Sequence, residues 1–380
     1  MKILYICNEY PPQVHGGIGS FMRDIAESMS QHSQHVEVWG VYHNIEKDTK
    51  EYQNGVLVHR IKGNANTGRL NSIKFRLEFL NKLKQFIKEN QFDIIEIQEW
   101  KGLLPFGLNH SGFVVRLHGA AIFFDKLLNR PGNRLDHIYE KMMLKRSKNK
   151  VAVSNFCGKK TLELCGISHQ SFHVIYNCVN VKKLESFIVD KFQPFKIVFA
   201  NSVLRKKGVF ELVKSFNSIA KKFPLAELHI IGKLGYVENK IGIKKMLEEV
   251  IDQKFKDRLF IRGWLNDAKD VYEELASAHI CVYPSHMEGF GIAPLESMAM
   301  KKAVIFMNNG PGPEVIENNV SGLLVDSLSP LDITKKIDMV FTDDKLAIKL
   351  GEKANERTKK LFDKETVFAK NNLDYYNSII

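Results

Sequence analysis

The feature that most constrains the fold is a regular alternation of short apolar runs with longer amphipathic segments, which occurs twice along the chain. Runs such as KILYIC, DIIEIQ and FVVRLH in the first half, and KIVFAN, AELHIIG and HICVYP in the second, read as strands. Several are apolar on both faces, as expected when helices cover both sides of a sheet. The segments between them have helical patterns, so the predicted fold class is α/β with two doubly wound parallel sheets.

A charged segment, VKKLESFIVDKFQPF, separates the two series. We therefore predict a Rossmann-like N-terminal domain over 1–178, a linker over 179–194 and a Rossmann-like C-terminal domain over 195–362. The tail, 363–380, is predicted as a last amphipathic helix that packs back on the N-terminal domain. Open α/β sheets bind ligands at the carboxyl ends of their strands, which predicts a ligand site in a cleft between the two domains.

Composition argues against several classes of protein. The opening MKILYICNEYPP becomes polar too quickly for a secretory signal, and no uncharged apolar run approaches the ~18 residues that span a bilayer. The five cysteines are scattered without a C-x-x-C pair, which indicates neither a zinc site nor a disulfide framework. These features predict a cytoplasmic protein. The sequence also lacks a D-x-D pair, which favours chemistry without a bound metal or other cofactor.

The most informative motif is PSHMEGFGIAPLESMAMKKAVI, which follows the strand HICVYP. Gly289 and Gly291 precede a helix predicted to begin near Ile292. A helix N-terminus approached through glycines is suited to a diphosphate. Glu288 and Glu296 would then accept hydrogen bonds from sugar and ribose hydroxyls. The alternative is a glycine loop with two surface glutamates, and the position of the motif at a strand-to-helix junction argues against it.

This segment resembles the E-x7-E signature of glycosyltransferase family 4. That large retaining family has the GT-B fold and includes many bacterial lipopolysaccharide, capsule and phosphatidylinositol mannosyl transferases. The resemblance covers nearly the whole chain, and it implies that the N-terminal domain lies on the acceptor side and that the C-terminal domain binds the nucleotide sugar. It implies that Glu288 contacts the donor sugar and Glu296 the ribose, and that the diphosphate is held by the backbone amides of Gly289, Phe290, Gly291 and Ile292.

Two further segments resemble the family. Gly16 and Gly17, in PPQVHGG, are similar to its Pro-Pro-x-x-G-G opening, and paired glycines there can fold over a phosphate or sugar. Lys207 resembles its phosphate-binding lysine, whose charge would offset the charge that develops on the leaving diphosphate. The arginine that the family commonly has five residues earlier is Ser202 here. Arg205 is a candidate replacement, at a different spacing.

His118 follows the strand FVVRL, at a carboxyl end expected to face the ligand. The resemblance places it near the reacting sugar carbon, where we expect positioning and electrostatic help. The strand FIRGW is similar to the family strand whose end meets the nucleobase, which implicates Gly263 and Trp264. The predicted catalytic residues are Glu288, His118 and Lys207.

Together with these residues, the resemblance implies a retaining, metal-independent glycosyltransferase. It would move a sugar from a nucleotide-diphosphate sugar, UDP being the commonest nucleotide in the family, to a glycan or lipid-linked acceptor in cell-envelope polysaccharide biosynthesis. Alternative enzymes of the same fold are a nucleotide-sugar epimerase and a glycan phosphorylase. A basic nucleic-acid-binding protein is a non-enzymatic alternative that the net charge of +12 allows, although no reading module or stacking motif supports it.

Residues 69–88, RLNSIKFRLEFLNKLKQFIK, predict a basic amphipathic helix. We expect its apolar residues (Leu70, Ile73, Leu77, Leu80 and Leu83) to pack on the sheet. Its basic residues (Arg69, Lys74, Arg76, Lys82, Lys84 and Lys88) would then remain available for weak contact with an anionic membrane. The protein would accordingly lie on the inner face of the membrane as a peripheral enzyme.

Overall fold

The computed structural model describes residues 1–13, 16–63, 69–235 and 242–380, with the side chains of 69–72 left outside the description. The chain forms two compact units. The first unit comprises Met1–Asn177 and Glu365–Ile380, and the second comprises Cys178–Lys364. Each unit contains one mainly parallel sheet with helices, so the predicted fold class of two parallel-sheet α/β domains is confirmed.

Among the described residues, the sheet of the first unit has eight strands in the order β3-β4-β2-β1-β5-β6-β7-β8, of which only β3 runs antiparallel to its neighbour. The strands at its centre are buried on both faces, as their apolar sequences predict. The strands are β1 (Lys2–Ile6), β2 (His35–Tyr42), β3 (Thr49–Gln53), β4 (Val56–Lys62), β5 (Ile94–Gln98), β6 (Phe113–Leu117), β7 (Asn149–Ala152) and β8 (His173–Val174).

The helices of the first unit alternate with these strands. They are α1 (Gly17–Gln31), α2 (Arg69–Asn90), α3 (Ala121–Leu127), α4 (Arg134–Arg146) and α5 (Asn155–Leu164). A 3₁₀ turn, Trp100–Gly102, follows β5. None of the helices in the described part of the chain is both long enough and apolar enough to cross a bilayer.

The second unit has a six-stranded parallel sheet in the order β11-β10-β9-β12-β13-β14. Its strands are β9 (Lys196–Ala200), β10 (Glu227–Ile231), β11 (Leu259–Gly263), β12 (Ile280–Tyr283), β13 (Ala303–Met307) and β14 (Leu323–Val325). Its helices are α6 (Val181–Glu185), α7 (Val209–Lys222), α8 (Ile243–Val250), α9 (Ala268–Ala276), α10 (Ile292–Ala299), α11 (Gly312–Val315), α12 (Pro330–Phe341) and α13 (Asp344–Phe362). Residues 179–194, predicted as a linker, contain α6 and belong to this unit.

Both sheets reverse their winding direction beside their first strand. In the first unit the chain moves from β1 to β2 and outward, and then returns to place β5 on the other side of β1. In the second unit it moves from β9 to β10 and β11, and β12 then lies on the other side of β9. Such a reversal opens a crevice at the carboxyl ends of the two strands, where open α/β sheets bind ligands.

The C-terminal segment is held in the first unit by buried polar contacts. The last helix, α14 (Ala369–Asn377), follows a π-helical turn. The fully buried Arg116 donates to both oxygens of Glu96 and, at 2.6 Å, to the side-chain oxygen of Asn372 in α14. The Tyr376 hydroxyl donates to Glu96 at 2.7 Å. These contacts tie α14 to β5 and β6.

Candidate functional site

In the second unit, the loops that follow β9 and β12 are joined at the crevice. Gly208 has a left-handed φ of 72°. A Cβ added there would lie 1.7 Å from the Pro284 carbonyl oxygen, so only glycine allows this approach. The backbone N–H of His286 donates to the Lys206 carbonyl at 2.8 Å. This contact fixes Lys207 beside the residues that precede α10.

The centre of the site is a carboxylate held by two donors. Lys207 Nζ lies 2.5 Å from Glu288 Oε1, and the Ser285 hydroxyl donates to the same oxygen at 2.9 Å. Glu288 is 8% exposed and Ser285 is fully buried. Both hydrogen bonds end on Oε1, so Oε2 is the oxygen oriented to accept a further hydrogen bond.

A second hydrogen-bonded pair connects the loop after β12 to helix α7. His286 Nε2 hydrogen-bonds Glu211 Oε2 of α7 at 3.1 Å. Burial alone would raise the pKa of Glu211. The hydrogen bond and charge of His286, a backbone hydrogen bond and the charge of Lys214 together outweigh burial and hold that pKa below its usual value. Nothing in the sequence motif marked Ser285 or Glu211, because the partners of Glu288 and His286 are set by the contact between two loops.

Helix α10 begins at Ile292, shortly after Glu288. We call residues 289–293 the α10 entrance. Gly291 has a φ of 100°, and its backbone passes close to the Phe306 ring, which a Cβ would meet at 2.9 Å. Phe290 is buried against Phe362, so this residue can offer a ligand only its backbone. In the described part of the chain, no side chain accepts a hydrogen bond from the amides of Gly291 or Ile292. Glu296 is half-buried in the second turn.

The remaining predicted residues of this unit lie at strand ends. Ser202, after β9, is exposed, and its N–H donates to the Asn201 side chain at 2.8 Å. The Arg205 guanidinium lies over the Phe210 ring, 4.9 Å from its centroid, whereas Lys207 contacts Glu288. Gly263 ends β11 with a φ of 72°. Trp264 follows it and is 68% exposed.

In the first unit, a carboxylate of the chain itself occupies the corresponding helix start. We call residues 16–19 the α1 entrance. The N–H groups of Gly16 and Gly19 donate to the two oxygens of Glu9, each at 3.1 Å. Gly17 has open space around its Cα, since an added Cβ would meet nothing within 4 Å. Val14 and His15 of the predicted motif lie outside the described residues.

His118 lies just after β6 and is held by backbone and ring contacts. Its N–H donates to Glu99 Oε1 at 2.6 Å, and its ring packs edge-on against Phe21, 4.5 Å between centroids. Burial, with the nearby Arg116 charge, lowers the pKa of His118 to about 3. The imidazole is therefore neutral at physiological pH. Its buried Nε2 makes no hydrogen bond within the described ranges.

Two buried glutamates below His118 were not foreseen from the sequence. Glu140 accepts hydrogen bonds from the N–H groups of Lys101, Ala121 and Ile122, and so caps α3. Glu99, which is fully buried, accepts from His118. Burial, together with the neighbouring Glu140 charge, raises the pKa of Glu99 to about 8.

Helix α2 differs in part from its predicted role. Leu80 and Leu83 are buried as expected, but Ile73 and Leu77 are 45% and 44% exposed. Arg76 does not belong to the exposed basic face. It is buried, and it donates to backbone carbonyls and lies against a tyrosine ring. The side chains of Arg69 and Leu70 lie outside the described residues.

Comparison with known families agrees with this architecture. Residues 15–183 match the model of Glycosyltransferase Family 4, and residues 182–357 match the model of Glycosyl transferases group 1. The two matches are consecutive and together cover most of both units. The chain belongs to the family 4, group 1 glycosyltransferases, which have the GT-B fold.

Individual relatives are distant but extend over much of the chain. An uncharacterised glycosyltransferase of Methanocaldococcus jannaschii is 24% identical over 365 residues, 90% of each chain. The capsular polysaccharide biosynthesis glycosyltransferase CapM of Staphylococcus aureus is 24% identical over 58% of this chain and 57% of its own length. The structure of Anabaena HepE in complex with UDP and glucose has a TM-score of 0.73 and 15% identity, with both chains fully covered, and it supports the fold.

Proposed function

We propose that this glycosyltransferase moves a sugar from a UDP-sugar, with retention of anomeric configuration, to a glycan or lipid-linked acceptor of the cell envelope. The observation that carries the proposal is the cluster at the crevice of the second unit. There Lys207, Glu288 and the α10 entrance lie at the carboxyl ends of β9 and β12. A cation, a carboxylate and a helix start in one crevice match the three parts of a nucleotide sugar.

The charges suggest how each part is held. The diphosphate would lie at the α10 entrance, where the helix dipole and backbone N–H groups favour an anion. Lys207 Nζ has donors beyond the one used by Glu288, and its charge would stabilise the diphosphate as it leaves. Glu288 Oε2 would accept a hydroxyl of the donor sugar, and Glu296 a ribose hydroxyl. None of these roles requires a metal ion.

Retention would follow from attack on the face that the diphosphate leaves, through an oxocarbenium-like state, with the leaving phosphate taking the acceptor proton. His118 suits a hydrogen-bonding role in this scheme because burial keeps its ring neutral. It would orient the sugar and would not act as the base.

Two relatives support the finer parts of the proposal. HepE was crystallised with UDP and glucose, which favours UDP as the nucleotide. CapM is named for capsular polysaccharide biosynthesis, which favours an envelope acceptor. We infer the same chemistry for this chain because the family and fold are shared.

The decisive experiment combines a donor screen with product analysis. Thermal-shift assays with UDP-, GDP- and ADP-sugars should show the largest stabilisation with a UDP-sugar. Proton NMR of the product should show the anomeric coupling of the donor. An inverted anomer would contradict retention. Interconversion of the nucleotide sugar without an acceptor would instead support an epimerase, and dependence on inorganic phosphate a phosphorylase.

We also propose weak contact with an anionic membrane through α2. Its lysines Lys74, Lys82, Lys84 and Lys88 are exposed, as are Ile73 and Leu77. The protein would then act at the cytoplasmic face of the membrane. Sedimentation with vesicles of phosphatidylglycerol and phosphatidylcholine should show binding at low salt and loss at high salt, because surface charge is screened. Absence of binding at low salt would contradict it.

A further inference from the structure

The first unit contains a cavity of about 680 Å³ that the chemistry above does not use. Its lining comes from the residues that follow three adjacent strands: Asn8 after β1, His43 and Asn44 after β2, and Trp100 and Lys101 after β5. It therefore opens where the winding of this sheet reverses, the place where open α/β sheets bind ligands. Helices α2 and α4 complete the wall.

The turn after β5 is fixed by buried charged groups. Lys101 is a non-glycine residue with a left-handed φ of 58°. Its N–H donates to Glu140 Oε1 at 2.8 Å, and its carbonyl accepts from Arg76 Nη2 at 2.9 Å. Gly102 packs against the backbone of α4, where an added Cβ would lie 2.2 Å from the Tyr139 carbonyl carbon. The strained turn is thus held before any ligand arrives, as expected at functional sites.

What the turn presents to the cavity is an aromatic ring and a cation. Trp100 is 39% exposed, and Lys101 is exposed. The other charged groups of the wall compensate each other, because Arg76 and Asp136 form an ion pair at 3.6 Å. Lys101 Nζ makes no ion pair with any residue that the structure describes. The described lining of the cavity therefore carries a surplus positive charge beside a partly exposed indole.

Side-chain amides supply the remaining polar surface. Asn8 Oδ1 accepts the N–H of Val41 at 2.9 Å, and Asn133 Oδ1 accepts the N–H of Leu135 at 3.0 Å. Each amide is thereby oriented with its Nδ2 group left to donate. Oriented amide donors next to an aromatic face suit a ring that carries several hydroxyl groups.

We propose that this cavity binds the acceptor, and that the acceptor carries a sugar ring with an anionic substituent, a carboxylate or a phosphate ester. The ring would stack on Trp100, its hydroxyls would accept hydrogen bonds from Asn8 and Asn133, and its anionic group would pair with Lys101. The identification of the ligand as the acceptor rests on the proposed function. The chemistry of the ligand rests on the cavity alone.

The test measures binding of simple sugars to the full chain by saturation-transfer NMR, with and without saturating UDP. The probes are glucose, glucuronic acid, glucose 6-phosphate and inorganic phosphate. Glucuronic acid and glucose 6-phosphate represent the two sources of charge. At least one should bind fivefold or more tightly than glucose, with or without UDP, and inorganic phosphate should not displace it at equal concentration.

The variants assign that binding to the cavity. Trp100→Ala should abolish it, and Lys101→Gln should reduce affinity for the acidic sugar to that for glucose. Phe106→Ala and Lys145→Gln, which change an exposed aromatic and an exposed lysine of the same unit outside the cavity lining, should change nothing.

Three results would overturn the inference: equal affinity for glucose and both acidic sugars, binding that survives Trp100→Ala, or binding that Lys101→Gln leaves unchanged. UDP binding is measured in the same samples and reports on the second unit. Absence of preferential acidic-sugar binding in the parent, with intact UDP binding, would therefore refute the cavity assignment alone. Absence of UDP-sugar binding in the parent would refute the proposed function.

Discussion

The α1 entrance and the α10 entrance have the same local design but different electrostatics. In both, a buried strand leads through glycines into a helix, and a glutamate precedes the glycines. At the α1 entrance the Glu9 carboxylate turns inward and accepts the first amides. At the α10 entrance the Glu288 carboxylate turns toward Lys207 and Ser285.

A glycine-rich strand-to-helix junction therefore does not by itself define a phosphate site. A carboxylate already bound at the helix start repels a second anion. The first unit repeats this arrangement at α3, where Glu140 accepts the first amides. Because the Glu288 carboxylate is turned toward Lys207, the α10 entrance is the better candidate for a diphosphate.

The largest expected effect comes from breaking the Lys207–Glu288 pair. Glu288→Gln and Lys207→Ala should each lower kcat about 10²- to 10³-fold, because each removes a group that contacts the reacting donor. The double variant should lose less than the product of the two, since the residues are in direct contact. Steady-state kinetics with the preferred donor measures all three.

Lys221→Ala, an exposed lysine at the far end of α7, is the matched control and should retain activity. Circular dichroism should show that the variants remain folded. Turnover near the parent rate in both single variants would remove the basis for preferring the α10 entrance.

The second prediction concerns pH and the buried acids of the first unit. The pKa of Glu99 is about 8 in the folded protein, above the ordinary value of 4.5. Between these values Glu99 keeps a proton in the folded chain that it has released in the unfolded chain, so the contribution of Glu99 to stability is lost as pH rises from about 4.5 to 8. The loss is of the order of 2–4 kcal/mol. Glu99→Gln should flatten this dependence, as measured by denaturant unfolding at several pH values.

His32→Gln, a change on the C-terminal side of α1, serves as a control and should keep the parent slope. If Glu99→Gln shows that slope as well, Glu99 is ionised in the folded protein.

A smaller effect should follow loss of the hydroxyl that orients Glu288. Ser285→Ala leaves Lys207 as the one described donor to Glu288 Oε1 and should lower kcat about tenfold, the equivalent of one hydrogen bond to a charged group. We expect KM for the donor to change less than twofold, because Ser285 acts through Glu288 and positions it.

Ser215→Ala is the matched control, since the Ser215 hydroxyl is buried in the same unit but bonds a backbone carbonyl of α7. A purely structural role for Ser285 would lower stability to a similar extent in both variants and leave kcat unchanged.

The smallest effect should come from Glu9→Ala. Removing the carboxylate leaves the amides of Gly16 and Gly19 without their acceptor and should cost about 0.5–1 kcal/mol of stability. Sulfate should then stabilise the variant more than the parent, because an anion can take the place of the carboxylate. Thermal unfolding with and without sulfate measures this, with the exposed Glu46→Ala as control. Equal stabilisation of parent and variant by sulfate would contradict the view that Glu9 closes the α1 entrance.

Much of the fold followed from local patterns. The apolar runs predicted the buried parallel strands, and the glycines predicted the helix start at Ile292, where α10 begins. Helix α2 shows where such reasoning fails. The helix itself was predicted correctly, but Ile73 and Leu77 of its apolar face are exposed. Arg76 of its basic face is buried because carbonyls of a distant turn accept its hydrogen bonds. Periodicity cannot register such a partner.

The sequence by itself determined the two α/β sheets, the family and the positions of Lys207 and Glu288 after their strands, because these depend on short-range periodicity and on motifs within one segment. Only the tertiary structure decided which way each carboxylate turns and which residues hold it. Those outcomes depend on loops from separate parts of the chain meeting at the edge of a sheet, as Gly208 meets Pro284.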